Sequence, residues 1–355
     1  MSSTKPTILL TGANGGLGIG CVQNILASKY AETHHAIYTV RSLDSAGTLR
    51  SLLDAKAQKG HSYEVLALDL GDLKEVREVA SSLNARIKSH TLAPITGLLL
   101  NAAMQDANSS TLTPQIFTPD THEAAFQINY LSPFLLVLLL LGSMHPTGRI
   151  VLVSSYMHNA LDPRPQQMGI YDLTKKSGRD YTVMFESVEA WRRGVSYEDD
   201  AYKAGMRRYG ASKLGGVMFM YELQSRLLSD PKLSGVEICC LDPGAMANTA
   251  LMRNSPPVMR VAIGILGRVL GPVFTAVSPN GTFRTPYKSG SDLLKTGLER
   301  EGAYKGGVAA VYWDGGRKGE TSLESRDGEK QKLLWRGSLE IVGLKEGETV
   351  LKDWR

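Results

Sequence analysis

The chain carries only three cysteines among 355 residues. Two of them, Cys239 and Cys240, are neighbours in an apolar run. Successive side chains of a strand point to opposite faces, so no disulfide between them is expected. The third, Cys21, falls on the first helix, and three buried or inert thiols suit a reducing compartment. Apolar runs long enough for a bilayer are also missing. Phe134–Leu141 holds eight such residues, against about twenty for a spanning helix, and reads as a buried helix face. Neither sign of charge clusters: 40 Lys and Arg face 35 Asp and Glu, and the net charge of +5 is spread along the chain. That excludes a nucleic-acid partner, whose footprint is a basic cluster, and suits an anionic cofactor. The seven histidines form no ligand-like group, so no metal is expected. Met1 to Thr7 is polar and leads straight into three apolar residues, which is not a secretory leader. The expected compartment is the cytoplasm.

What is present begins with Ile8-Leu9-Leu10-Thr11-Gly12-Ala13-Asn14-Gly15-Gly16-Leu17-Gly18. Three apolar residues predict a short buried strand, the glycines a tight turn, and Ile19 to Ala27 a helix. Gly12, Gly16 and Gly18 leave bare backbone where a side chain would block a dinucleotide pyrophosphate. The helix start aims free N–H groups at the same place. Thr11, Asn14 and Leu17 complete this part of the candidate cofactor site.

Short apolar strands then alternate with amphipathic helices. Strands are predicted at Ala36–Val40, Glu64–Leu68, Ile95–Leu100 and Arg149–Val153, with helices at Ser45–Lys59, Asp72–Lys88 and about Asp120–Leu141. Repeated strand–helix units predict an α/β fold, a doubly wound parallel sheet with helices on both faces. From Met157 to Arg208 the periodicity is lost, and this stretch reads as an insertion with one or two short helices. Regularity returns with a helix at Tyr209–Leu228 and a strand at Val236–Leu241. A last strand is expected near Val308–Tyr312 and a helix around Lys330–Val342. One domain is expected over residues 1–355: a cofactor-binding half at 8–155, the insertion at 156–208, and the catalytic helix, lid and tail at 209–355.

Chemistry concentrates at a few positions. Arg41, just past the second strand, stands where a basic residue reads a 2′-phosphate and an acidic one the ribose hydroxyls. A charge pair at about 4 Å near a protein surface is worth roughly 4 kcal/mol before screening, so Arg41 favours NADP over NAD. Asp69 is placed to bond an adenine amino group, or only to cap a helix. In Tyr209-Gly210-Ala211-Ser212-Lys213 the phenol and the ammonium share a helix face. Bringing a phenol pKa from near 10 toward 7 takes about 4 kcal/mol, which a nearby Lys⁺ and a cationic nicotinamide can supply. A second Tyr-x-x-x-Lys, Tyr171 to Lys175, runs into a polar stretch. Tyr209 is instead followed by Leu214, Val217, Met218, Met220, Leu223 and Leu227, a buried helix stripe and the better platform.

These motifs resemble the short-chain dehydrogenase/reductase family, whose fold is of the Rossmann type. The resemblance rests on Thr11–Gly18, Asp69, Leu100-Asn101-Ala102-Ala103, Asn129, Ser154-Ser155, Tyr209–Lys213 and Pro243-Gly244, spanning residues 8 to about 250. The tail, with Lys332-Leu333-Leu334-Trp335 and Ile341 to Leu344, is similar to the retinol-dehydrogenase-like and protochlorophyllide-reductase-like branch. The resemblance implies Tyr209 as general acid in ketone reduction, Lys213 on the nicotinamide ribose, Ser155 on the substrate oxygen and Asn129 holding a water linked to Lys213. It implies Asn101 bracing the sheet beside the cofactor, with Pro243, Gly244 and Thr249 lining the carboxamide. Leu70, Ala102, Ala103 and Met246 flank these positions and join the cofactor set.

Two features depart from compact members. Ala103 replaces a usual glycine, and 54 positions separate Ser155 from Tyr209, so the intervening chain must loop out as a wall, lid or partner surface, or as mere decoration. Val258–Phe274 reads as a cover for an apolar substrate, a helix docked on a membrane surface, or a plain core helix. The expected activity is NADPH-dependent reduction of a ketone, or the reverse alcohol oxidation, on a bulky apolar molecule of polyketide, terpenoid, steroid or retinoid type. Homodimer and monomer are both open. The rival readings are a catalytically silent NADP(H)-binding sensor and a membrane-associated scaffold.

Overall fold

The computed structural model describes residues 5–58, 60–105, 115–171, 180, 183–195, 201–246 and 271–355. Its centre is an eight-stranded sheet in the order β3-β2-β1-β4-β5-β6-β7-β8. The strands are β1 Thr7–Leu10, β2 His35–Val40, β3 Ser62–Ala67, β4 Ile95–Leu100, β5 Met144–Val153, β6 Glu237–Asp242, β7 Tyr312–Asp314 and β8 Arg317–Lys318. All neighbouring pairs are parallel except β7 with β8. The strand reversal lies between β1 and β4, the place where such sheets open a crevice for ligands beyond their carboxyl ends.

Both faces are covered, as continuous apolar strands require. One face packs on α1 (Gly16–Leu26), α2 (Gly47–Lys56) and α6 (Pro286–Leu298), the other on α3 (Leu73–Lys88), α4 (Ser132–Leu140) and α5 (Ala201–Ser229). Cys239 and Cys240 divide between the two cores, and all three thiols are buried and free. Every residue of α4 is buried, so the apolar run of the sequence is a core helix. A one-turn π segment, Gln127–Leu131, precedes it.

The catalytic-helix candidate extends further back than its apolar stripe. It starts at Ala201, so two turns of α5 lie within the stretch read as insertion. Leu214, Val217, Met218, Met220, Leu223 and Leu227 are fully buried, as their spacing requires. Phe219 of α5 packs with Trp335 of α7 (Gly328–Val342) at a 5.9 Å ring separation. The last parallel strand is displaced from Val308–Tyr312 to Tyr312–Asp314 because Gly307 and Ala310 adopt positive φ and turn the backbone first.

Helix α6 is absent from the sequence reading. Its contact surface is made of small residues that give no apolar period. A Cβ on Gly20 would fall 1.9 Å from the Pro286 carbonyl oxygen, and one on Gly290 would fall 2.2 Å from Gly20 backbone. The two helices therefore meet backbone to backbone.

Candidate active site

The glycine turn is built as the cradle its sequence predicts. Gly12 has φ +65°, and a Cβ there would lie 2.8 Å from Ala102 Cα. A Cβ on Gly18 would lie 2.3 Å from the Gly12 carbonyl oxygen. Thr11 Oγ1 accepts from the Asn101 and Ala102 N–H groups at 2.9 and 3.0 Å, and Asn101 Nδ2 donates to the Thr11 and Gly12 carbonyls at 2.8 and 3.0 Å. These bonds fasten the turn to the end of β4. Helix α1 begins at Gly16 with no side-chain cap and no acidic residue in its first turn. Its first backbone donors are thus offered to an anion, and the cradle fits a dinucleotide pyrophosphate. Leu17 is buried below it.

Asn14 points elsewhere. Its amide donates to the Ser45 carbonyl at 2.7 Å and accepts from Leu49 N–H at 2.8 Å, which ties the cradle to the start of α2. Exposed Arg41 leads into that same segment. Asp69 caps its own turn, accepting from Gly71 N–H at 2.8 Å, and Leu70 is buried. Ala103 is half-buried.

Ser155, Tyr209 and Lys213 converge at the carboxyl edge of the sheet. The Ser155 hydroxyl lies near enough to the Tyr209 phenol to favour its ionised form. Lys213 Nζ donates to the Val153 carbonyl at 2.7 Å and stands 5.5 Å from the centre of the Tyr209 ring. Burial pushes the Lys213 ammonium down to about 8. Burial also pushes the Tyr209 phenol above its ordinary value; the Asp242 carboxylate adds to this and the nearby Ser155 hydroxyl opposes it. The lowering expected from Lys213 is not what the chain's own groups produce: they hold the phenol protonated.

Asn129 sits in the π segment with both amide protons committed, to the Met104 carbonyl and Ser212 Oγ at 2.9 Å each, while its oxygen accepts from Met104 N–H at 2.8 Å. Ser212 in turn donates to the Tyr209 carbonyl at 2.7 Å. The Asn129 side chain therefore braces α5. Tyr171 is buried with Met157, Ala160, Ile170, Met206 and Tyr209, and donates to the Met157 carbonyl at 2.9 Å. It supports the site structurally. Its Lys175 lies outside the described residues, as do Thr249 and residues 258–270.

At the end of β6, Gly244 takes φ +74° and the Pro243 carbonyl accepts from Ser289 Oγ at 2.7 Å. Met246 packs at the edge of the core. Sequence reasoning missed His158, Asp242 and Arg164 nearby. His158 Nδ1 lies 2.8 Å from the Ser155 carbonyl and its Nε2 accepts from Ser322 N–H at 3.2 Å. That arrangement fixes a neutral ring, which burial reinforces by pushing its pKa down to about 4. The available signal was an Asp directly before Pro-Gly, closing an apolar strand.

Residues 6–184 match the family model described as short chain dehydrogenase. The chain belongs to that family. It is 37% identical to the short-chain dehydrogenase iccH of Talaromyces variabilis, over 98% of either chain. It is 25% identical to protochlorophyllide reductase A of Oryza sativa subsp. japonica, over 95% of this chain and 80% of the relative. Among solved structures, the angucycline C-6 ketoreductase LanV with bound NADP superposes with a TM-score of 0.55 at 18% identity, covering 88% of this chain and 95% of that one. This oxidoreductase family accounts for the Rossmann-type sheet and for the tail's likeness to the protochlorophyllide-reductase branch.

Proposed function

We propose that this short-chain dehydrogenase is an NADP(H)-dependent reductase of a ketone on a bulky apolar molecule, with Tyr209 as general acid. The reading is supported by one observation: Lys213, one turn beyond Tyr209 on the helix and 5.5 Å from its ring centre, donates to the Val153 carbonyl at the strand end that carries Ser155, at the same sheet edge as the glycine cradle. Thr11, Gly12, Gly16 and Gly18 would hold the pyrophosphate, Arg41 the 2′-phosphate, and Pro243 and Gly244 the nicotinamide side. Bound NADPH supplies a hydride. Ser155 would position the carbonyl oxygen and Tyr209 would deliver its proton, after which Lys213 favours recovery of the phenol from solvent-linked groups. In the reverse direction Tyr209 would take up the alcohol proton.

The apolar surroundings of Tyr209, with Met157, Ala160, Ile170 and Met206 on one side, support a hydrophobic substrate. The name of the LanV structure, a ketoreductase, supports the reaction. We also favour a monomer. The helices that follow β4 and β5 are covered by the chain itself: α4 is wholly buried, and α5 lies against α7 while its Arg226 donates to the carbonyl of Arg355.

The test compares Tyr209→Phe with Tyr171→Phe in NADPH-dependent turnover of a ketone panel. General-acid loss predicts a fall of about hundredfold or more for the first, with most activity kept by the second. Loss confined to Tyr171→Phe overturns the assignment.

A further inference from the structure

Asp242 and Asp314 face one another in register at the carboxyl ends of β6 and β7. Two carboxylates side by side in a buried site repel, and such a pair persists only with compensating partners. Those partners are specific. Arg164, on the short helix Pro163–Gln167, places Nη1 3.6 Å from Asp242 and 3.8 Å from Asp314, pairs with Asp162 at 2.8 Å, and stacks 4.2 Å from the Tyr156 ring centre. Fully buried Arg284 pairs with Asp314 and donates to the Asp242 backbone carbonyl at 2.9 Å. Arg317 lies 3.5 Å from Asp314.

The two Asp242 oxygens do separate things. One accepts from Tyr156 N–H at 2.9 Å, the residue directly after Ser155. The other accepts from Gly244 N–H at 2.8 Å, in the Pro243–Gly244 turn. We propose that Asp242 is a positioning residue of the reaction, its carboxylate holding the Ser155 turn and the Pro243–Gly244 turn together. This rests on the reductase reading given above.

The charge argument follows from the whole neighbourhood. Asp242 is faced by Arg164, Arg284, Asp314, Tyr312, Tyr156, Tyr209 and Lys213, and Tyr209 by Asp242, Ser155, Tyr156 and Lys213. Ionising the phenol places a second negative charge near the first in a largely buried site. Asp242 acts in the direction found for Tyr209, upward, and it favours the charged form of Lys213. The site is thereby biased toward a phenol that donates, which is what reduction needs.

The test uses Asp242→Asn in the full chain, with folding checked by circular dichroism and thermal melting. Asn cannot accept at both oxygens, so the Gly244 or Tyr156 contact is lost. NADPH affinity, read by fluorescence titration without turnover, should weaken about tenfold. The alkaline limb of NADPH-dependent ketone reduction should move down by about one pH unit. Affinity within twofold of the wild type together with an unmoved limb overturns the inference. Should the Asn variant fail to fold, Arg164→Gln replaces it. Asp242 then keeps its proton to higher pH, so weaker NADPH binding supports the inference and unchanged binding overturns it. Tyr209→Phe run alongside separates the two readings. Full activity in that variant removes the general acid, whereas the Asp242 affinity result judges the clamp by itself.

Discussion

The Tyr171 hydroxyl occupies the space beside Gly210 on α5: a Cβ on Gly210 would lie 2.1 Å from that oxygen and 2.7 Å from the Met157 carbonyl it bonds. Gly210→Ala should therefore destabilise the chain by about 1–3 kcal/mol through overpacking. Tyr171→Phe alone should cost about 1 kcal/mol for the lost hydrogen bond. Combined, the two should cost less than their sum, because the phenylalanine vacates the contested position. Urea melts of the four proteins check this, and strict additivity refutes it.

Lys213 makes stability depend on alkaline pH. Its ammonium titrates near 8 in the fold and near 10.5 when unfolded. Between those values the unfolded chain binds the extra proton, so stability rises with pH, by up to about 1.4 kcal/mol per unit. Lys213→Met should flatten that segment of a melting-temperature profile. A slope that survives the substitution assigns it to another group.

His158 sets the acid side. Its ring is held neutral with a value of about 4 against an ordinary 6.5. Stability conferred by the neutral ring is complete above 6.5 and is lost as pH falls toward 4, because the unfolded state takes up the proton first. His158→Gln should be less stable at pH 7 but less acid-sensitive through that window. Equal acid slopes in the two proteins would remove His158 as the cause.

Arg41→Asp addresses cofactor choice. Replacing the exposed cation beyond β2 should weaken NADPH binding by about tenfold to a hundredfold, with NADH little changed or improved, given a charge pair worth a few kcal/mol before screening. Fluorescence titration with both nucleotides checks it. Parallel losses for the two would mean that Arg41 does not read the phosphate.

Much of this architecture was readable before any coordinates. Ile95–Leu100 was bounded correctly because a parallel strand buried on both faces is a continuous apolar run. The stripe from Leu214 to Leu227 announced α5 because one helix face meets the sheet. Its first turns were hidden since Lys203, Arg207 and Arg208 break the apolar rhythm, and α6 was hidden because helices in backbone contact select Gly and Ser. Ser155 and Tyr209 were expected as partners by type and order, and the fold brings them near one another across 54 positions. The Asp242–Asp314 pair was invisible for another reason. Each aspartate looks ordinary in its own strand, and only register across a parallel pair, separated by a long stretch of chain, makes them neighbours.

The contact of Gly20 with Gly290 has a mechanical consequence. Helix α1 starts at the glycine turn, and α6 reaches the Pro243 turn through Ser289. With no side chains between them to act as a lubricating layer, neither helix can slide without moving the other. Amide protons along Gly20–Ile25 and Ser289–Leu294 should then exchange with solvent as one cooperative unit, and nucleotide binding at either end should slow exchange at both.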